Sequence, residues 1–267
     1  MRPIDLIQQL DGKTNRERLN IIVEKLRELN VAFRHEPYET GTNLIVDLGT
    51  GRRRIGIGSH FDRVQDSSGA NDNGSAIAVC FDIIEKFKNL NDERIGLRLF
   101  FFDEEETGLK GSKAYVKAHG VEDLAGVINM ELVGLGDKLA VWPVTPAANG
   151  TLLRIFESEA HRMGVSVLRF DQIVTNTADH VSFQNAGLLD AFTVTCISDF
   201  DVEVAKQYFK ALASGSDRQL LFEILSKAPI FQHYHQPTDT YDRLSEDALR
   251  MTSAVICDTV LAFPDRL

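Results

Sequence analysis

An α/β domain on a largely parallel sheet is predicted by three features of the sequence. Strand-like and helix-like patterns alternate along the whole chain. Several apolar runs lack the polar alternation of a half-exposed sheet, as strands buried on both faces do. Three of these runs stop abruptly on charged residues, the position where open α/β sheets build their sites. The 267 residues carry no internal repeat, low-complexity tract or Pro-rich linker, so residues 1–267 read as one domain with a sizeable core.

The elements follow in order. From Asn15 to Asn30, Leu19, Ile22, Val23, Leu26 and Leu29 recur at helical spacing among charges, predicting an amphipathic helix. Strands are predicted at Val31–His35, Asn43–Leu48 and Arg54–Ser59, the last ending on His60. The Gly/Ser/Asp/Asn loop Asp66–Gly74 leads into a helix from about Ser75 to Leu90. Leu97–Phe102 is a nearly continuous apolar strand that runs straight into the acids Asp103–Glu106. A short helix near Ser112–His119, strands at Gly126–Met130 and Lys138–Trp142, a helix over Gly150–Met163 and a strand at Ala191–Cys196 complete the middle. Ser245, with Glu246 and Asp247 behind it, predicts the N-cap of a last helix reaching Ala262.

The stretch Ser198–Phe231 reads as a helical hairpin. Val202, Ala205, Tyr208, Phe209 and Leu212, then Leu220, Leu221, Ile224 and Leu225, repeat at helical spacing around a break at Ser214–Asp217, and Pro229 ends the second helix. Its role stays open between a lid over the site and a structural elaboration.

Composition excludes some functions. With 29 basic and 39 acidic residues the net charge is −10, against a nucleic-acid partner. No apolar run approaches a membrane span. The start of the chain turns polar after ten residues without a signal-peptide core, which predicts a cytoplasmic protein. Cys80, Cys196 and Cys257, odd in number and set among apolar neighbours, read as buried thiols of a reducing compartment.

The chemistry sits at the strand ends: His60, the Glu104–Glu106 cluster and Glu131, joined by the histidines of Phe231–Asp242. Alone, His60 is an ordinary strand-end histidine and Asp72 an ordinary turn residue. Carboxylates crowded at one sheet end repel one another unless a cation compensates them. A mixed nitrogen and oxygen set suits zinc better than calcium or magnesium. Asp62, two residues after His60, could orient that imidazole.

In order, His60–Asp62, Gly69–Ala76, Glu104–Ser112, Asn129–Gly134, Ala178–Phe183 and Tyr234–Leu244 resemble the signatures of the co-catalytic zinc aminopeptidases, a superfamily that includes the glutaminyl cyclases. The resemblance runs from about Arg16 to Leu261. It implies a three-layer zinc-exopeptidase fold forming one catalytic domain, with two zinc ions. His60, Asp72, Glu106, Glu131 and His235 would be the ligands, with Asp72 bridging across a cis peptide to Asn73. Thr107, Gly108 and Leu109 fix the register that makes Glu105 the general base and leaves Glu104 outside the pattern. Glu131 stands where most relatives have Asp. His233 rivals His235, which is preferred because Tyr234 and Gln236–Thr240 match the family context. Tyr234 would stabilise the oxyanion, and Asp179, preceded by Ala178 where the family has Ser, would contact substrate or cap the helix behind it. His35, His119, His161 and His180 fall in no pattern. The expected activity is exopeptidase cleavage of short peptides or aminoacyl amides, with a homodimer left open. A glutaminyl-cyclase-like acyltransferase and an inactive binding homologue are the alternatives.

Overall fold

The structure is a computed structural model and describes residues 2–171 and 177–266. Among these, eight strands form one sheet: β1 (Arg34–Pro37), β2 (Thr42–Leu48), β3 (Arg54–His60), β4 (Gly96–Phe102), β5 (Leu124–Met130), β6 (Lys138–Trp142), β7 (Val167–Arg169) and β8 (Ala191–Ile197). Their spatial order is β1-β2-β4-β3-β5-β8-β6-β7. The centre, β4-β3-β5-β8, is parallel, while β2 and β6 join it antiparallel.

Helices cover both faces: α1 (Pro3–Leu10), α2 (Asn15–Glu28), α3 (Ala76–Phe87), α4 (Lys110–His119), α5 (Thr151–Arg162), α6 (His180–Asn185), α7 (Asp199–Ala213), α8 (Arg218–Leu225) and α9 (Glu246–Ala262). The pleat of β4 sorts its residues between two cores. Leu97, Leu99 and Phe101 join the large core with α1, α2, α3, α5 and α9. Phe100 and Phe102 face the other way, against Tyr115 of α4 and Phe183 of α6. On that side β3 carries Gly56 and Gly58, because a Cβ at Gly56 would lie 2.9 Å from the Phe100 ring.

Several boundaries differ from expectation. The first strand is Arg34–Pro37 rather than Val31–His35. Asn30 takes a left-handed conformation (φ 54°), and the Val31 amide bonds back to the Leu26 carbonyl at 3.1 Å, so Val31 closes α2 instead of opening a strand. The helix expected from Ser75 starts at Ala76 and ends at Phe87, because Asp72 and Asn73 in the turn Ala70–Ser75 are not helical. Two elements were not expected. α1 is only eight residues long, though Leu6, Ile7 and Leu10 are core residues, and the three residues of β7 are too few to show a period.

The hairpin is present. Ser198 caps α7 in a reciprocal box with Asp201, and Asp217 caps α8. Its second helix closes at Leu225, and Pro229 opens a separate 3₁₀ turn, Pro229–Phe231. The apolar face also differs: Leu212 and Leu220 are exposed, and Val204 is buried in their stead. All three cysteines are buried and free. No described helix is long and apolar enough to cross a membrane.

Candidate metal centre and active site

Three loops leave the carboxyl ends of neighbouring parallel strands, which brings His60, Glu105, Glu106 and Glu131 to one edge of the sheet. Asp72 reaches the same point from the turn before α3, and His235 from the segment before α9. Asp72 stands in the middle. Its Oδ1 lies 3.2 Å from His60 Nε2, and its Oδ2 lies 3.3 Å from His235 Nε2. Each imidazole also faces a second carboxylate: His60 Nε2 is 3.2 Å from Glu131 Oε2, and His235 Nε2 is 3.1 Å from Glu106 Oε2. The Asp72–Asn73 peptide is cis.

These residues fit a metal. Asp72 Oδ2, Glu106 Oε1 and His235 Nε2 are buried without a hydrogen-bond partner, which is costly unless a cation takes them up. Atoms of His60, Asp72 and Glu106 lie within 4.8 Å of one another.

The electrostatics match a site built around positive charge. Burial pushes the Glu105 carboxyl well above its ordinary range, with Glu131, Asp179 and Glu106 adding to the rise. Burial raises Glu106 and Glu131 as well. Burial opposes the charged imidazoles, yet the surrounding carboxylates outweigh it, holding His60 well up and His235 at about 9. Without metal, burial disfavours the charged carboxylates of Glu105, Glu106 and Glu131, while at Asp72 the histidines outweigh burial and hold the carboxyl well below its ordinary range; a bound cation favours the charged carboxylates throughout.

The supporting residues explain how the ligands are held. His60 Nδ1 lies 3.1 Å from the Asp62 carbonyl and 3.3 Å from its Oδ1. The Asp62 carboxylate also accepts from the backbone amides of Glu105 (3.0 Å) and Glu106 (3.1 Å), so one acid fixes a ligand, the proposed base and its neighbour. Glu131 is hydrogen-bonded at both oxygens, by Asn129 (3.0 Å) and Asn73 (2.7 Å). From Asn129 the network continues to Thr193 Oγ1 (3.2 Å) and then to His180 Nδ1 (2.6 Å). Asp239 accepts from the amides of Asn71 (2.8 Å) and Asp72 (3.1 Å), holding the bridging residue in place.

Asp239, Asn73, Asn129 and Arg18 were missed from the sequence. Asp239, Asn73 and Asn129 lie inside the motifs Tyr234–Leu244, Gly69–Ala76 and Asn129–Gly134, which were the available signal. Arg18 acts through tertiary contacts.

The remaining candidates are placed as follows. Glu104 turns outward with φ 54° and bonds to Thr40 and, at 3.0 Å, to Lys110, in keeping with an acid outside the pattern. His233 bonds to Thr238 at 2.8 Å and points away, because the segment folds into turns and is not extended. Tyr234 stacks on His235 with ring centroids 3.7 Å apart, and burial raises its hydroxyl pKa. Asp179 does not cap α6: no side-chain bond is made to the helix. It is fully buried, neither oxygen completes a hydrogen bond, and burial pushes its pKa up to about 7. His180, which fell in no pattern, is buried against the Trp142 ring, and burial lowers its pKa to about 3.

His60, Asp72, Glu105, Glu131 and Tyr234 open into one cavity of about 920 Å³ including its mouth. Its far wall is apolar, with Leu132, Trp142 and Ile197 from the body and Val204, Tyr208 and Leu225 from the α7–α8 hairpin.

Comparison with known proteins agrees with this architecture. A probable lipoprotein aminopeptidase, LpqL, of Mycobacterium tuberculosis is 25% identical over 237 residues, covering 82% of this chain and 44% of that protein. The chain thus spans less than half the length of that relative. Among solved structures, BSAP, a zinc aminopeptidase from Bacillus subtilis, is 21% identical with a TM-score of 0.63, over 82% of this chain and 49% of that one. A Porphyromonas gingivalis glutaminyl cyclase is 19% identical with a TM-score of 0.67, over 99% and 94%. At these identities both structural likenesses concern the fold. The family model of Peptidase family M28 matches residues 43–260, the stretch that holds every candidate ligand, and the chain belongs to that family.

Proposed function

We propose that the protein is a zinc-dependent aminopeptidase that removes a large apolar residue from the amino terminus of short peptides. The observation that carries this is Asp72, whose two oxygens face two different imidazole–carboxylate pairs beside Glu105. That arrangement suits two ions: His60 and Glu131 would hold one, His235 and Glu106 the other, with Asp72 between. When bound, the metal lowers the pKa of a water and polarises the scissile carbonyl.

Glu105 takes the proton from that water and delivers it to the leaving amine, a role that its burial beside acids favours. The Tyr234 hydroxyl donates to the oxygen that gains negative charge. Glu131, which lines the cavity, draws in the substrate's free ammonium group, with the buried Asp179 acting from beyond the lining, which gives a physical reason for action at a chain terminus. The apolar wall receives the first side chain, and the hairpin narrows the mouth so that short peptides are favoured. The buried, unpaired thiols suit a reducing compartment.

Glutaminyl cyclisation is the second reading, supported by fold neighbours of similar size. The mainly apolar chamber favours a hydrocarbon side chain over a glutamine carboxamide, which would have few partners there beyond Thr195 and Asp201. The test uses zinc-loaded protein on leucyl, phenylalanyl and alanyl p-nitroanilides, their N-acetyl forms and a glutaminyl peptide. Release from the free leucyl and phenylalanyl substrates, blocked by acetylation, is expected. Equal cleavage of acetylated substrates, or ring closure of the glutaminyl peptide without hydrolysis, would overturn the reading.

A further inference from the structure

Arg18 of α2 has a fully buried side chain that reaches the loop carrying Asp72. Its guanidinium makes one hydrogen bond, from Nη1 to the Gly69 carbonyl at 2.9 Å. That carbonyl also accepts from the Gly74 amide at 3.1 Å, so the loop is tied there without Arg18. Nε and Nη2 have no hydrogen-bond partner. The space is shaped to the group: a Cβ on Gly69 would lie 2.6 Å from Nη1, and one on Gly74 would lie 3.7 Å from Nη2.

A buried cation with two idle donors is a poor clamp, since burying it costs more than one carbonyl bond returns. What offsets the cost is charge. Burial lowers the guanidinium pKa to about 10, and Asp72, Asp62 and Asp239 act in the opposite direction, so it remains cationic at neutral pH. These acids are the proposed bridging ligand and the two carboxylates that hold the ligand loops. Arg63, the other cation that acts on Arg18, is repulsive and spends its donors on backbone carbonyls.

We infer that Arg18 is a fixed counter-cation of the metal centre, stabilising the carboxylate cluster when metal is absent and opposing the metal's charge when it is present. Arg18 is thus a positioning residue that keeps the empty site preformed. The inference rests on reading the cluster as a metal site. Because coupling between two ligands of one cluster is reciprocal, removing the arginine charge must tighten metal binding by the same factor by which metal relieves its loss.

The experiment compares wild type, Arg18→Met and Arg18→Lys by thermal unfolding with chelator and with saturating zinc, and by zinc competition against a chromophoric chelator. Arg18→Met should lose more stability without zinc than with it, so its zinc-induced rise in Tm exceeds that of wild type. Its zinc affinity should increase by about tenfold, within the usual range of such couplings. Arg18→Lys, which keeps the charge, should stay near wild type in both readouts. Equal destabilisation of Arg18→Met with and without zinc, or weaker zinc binding, would overturn the inference and leave a purely steric role. If Arg18→Met does not fold in either state, Arg18→Lys decides: folding without metal supports the charge, and failure alongside Arg18→Met sinks it. A wild type that takes up no zinc would instead refute the metal reading. The counter-cation role would then stand or fall on whether metal-free Arg18→Met is less stable than Arg18→Lys.

Discussion

The two walls of the cavity are built in opposite ways. The polar wall is built mainly at strand ends of the parallel centre, where acids pin the backbone of three reactive residues: Asp62 holds Glu105 and Glu106, and Asp239 holds Asp72. Half of the apolar wall comes from the α7–α8 hairpin, which packs through two small clusters and leaves Phe200, Leu220 and Phe222 in solvent. A position set by several buried hydrogen bonds costs much to disturb, whereas one set by side-chain packing can be reshaped. Under the proposed function, chemistry is assigned to the first wall and selection to the second.

The largest expected effect tests the polar wall directly. Glu105→Gln should retain metal and lose roughly 10²–10⁴-fold in kcat, the scale of general acid–base catalysis. Metal analysis and initial rates check both parts; full turnover would move the base to another group. Next, Asp62→Ala should lower metal affinity or activity by about 10–100-fold although Asp62 is not itself placed as a ligand. Chelator competition reads the affinity, and an unchanged value would show that the backbone of Glu105 and Glu106 needs no such support.

The apolar wall should respond in preference more than in rate. Ala205→Trp, which fills the chamber beneath α7, should cost about 10–200-fold in kcat/KM for phenylalanyl over alanyl substrate. Loss of both activities in equal measure would mean the hairpin serves the fold and not selection. Asp201 gives the smallest effect. Its carboxylate completes the capping box of α7, accepting from the Ser198 amide at 2.8 Å, and accepts from the Ile230 amide at 3.0 Å, so Asp201→Ala should cost about 0.5–2 kcal/mol of stability, read as a lowered Tm with kcat little changed.

The same contrast explains what could be read in advance. The strand ends were legible because burial on both faces forces an apolar run, and an abrupt acid or histidine after such a run stands out. The resemblance, aligned on Thr107, Gly108 and Leu109, separated Glu105 and Glu106 from Glu104. The hairpin was legible as two helices, but its buried face was not. Leu212 and Leu220 fit the helical period and are exposed, while Val204 is buried, because the face turned inward depends on what α7 meets. His233 and His235 lie two residues apart, and only the turns of that segment point one of them at Asp72.

By itself, the sequence determined the alternation of elements, the strands of the sheet centre, the cap Ser245, and the motifs that carry the ligands. These are local signals, fixed by backbone propensity, period and chemistry within a few residues. Tertiary structure alone decided that Asp72 faces two imidazoles, that Asp239 and Asn73 orient the ligands, and that Arg18 of a surface-patterned helix lies fully buried against the Asp72 loop. Each of these links residues from distant parts of the chain, 168 positions apart for Asn71 and Asp239. The physical reason is desolvation: a buried charge or idle donor has no local signature, because its energy is set by whatever the fold brings to it.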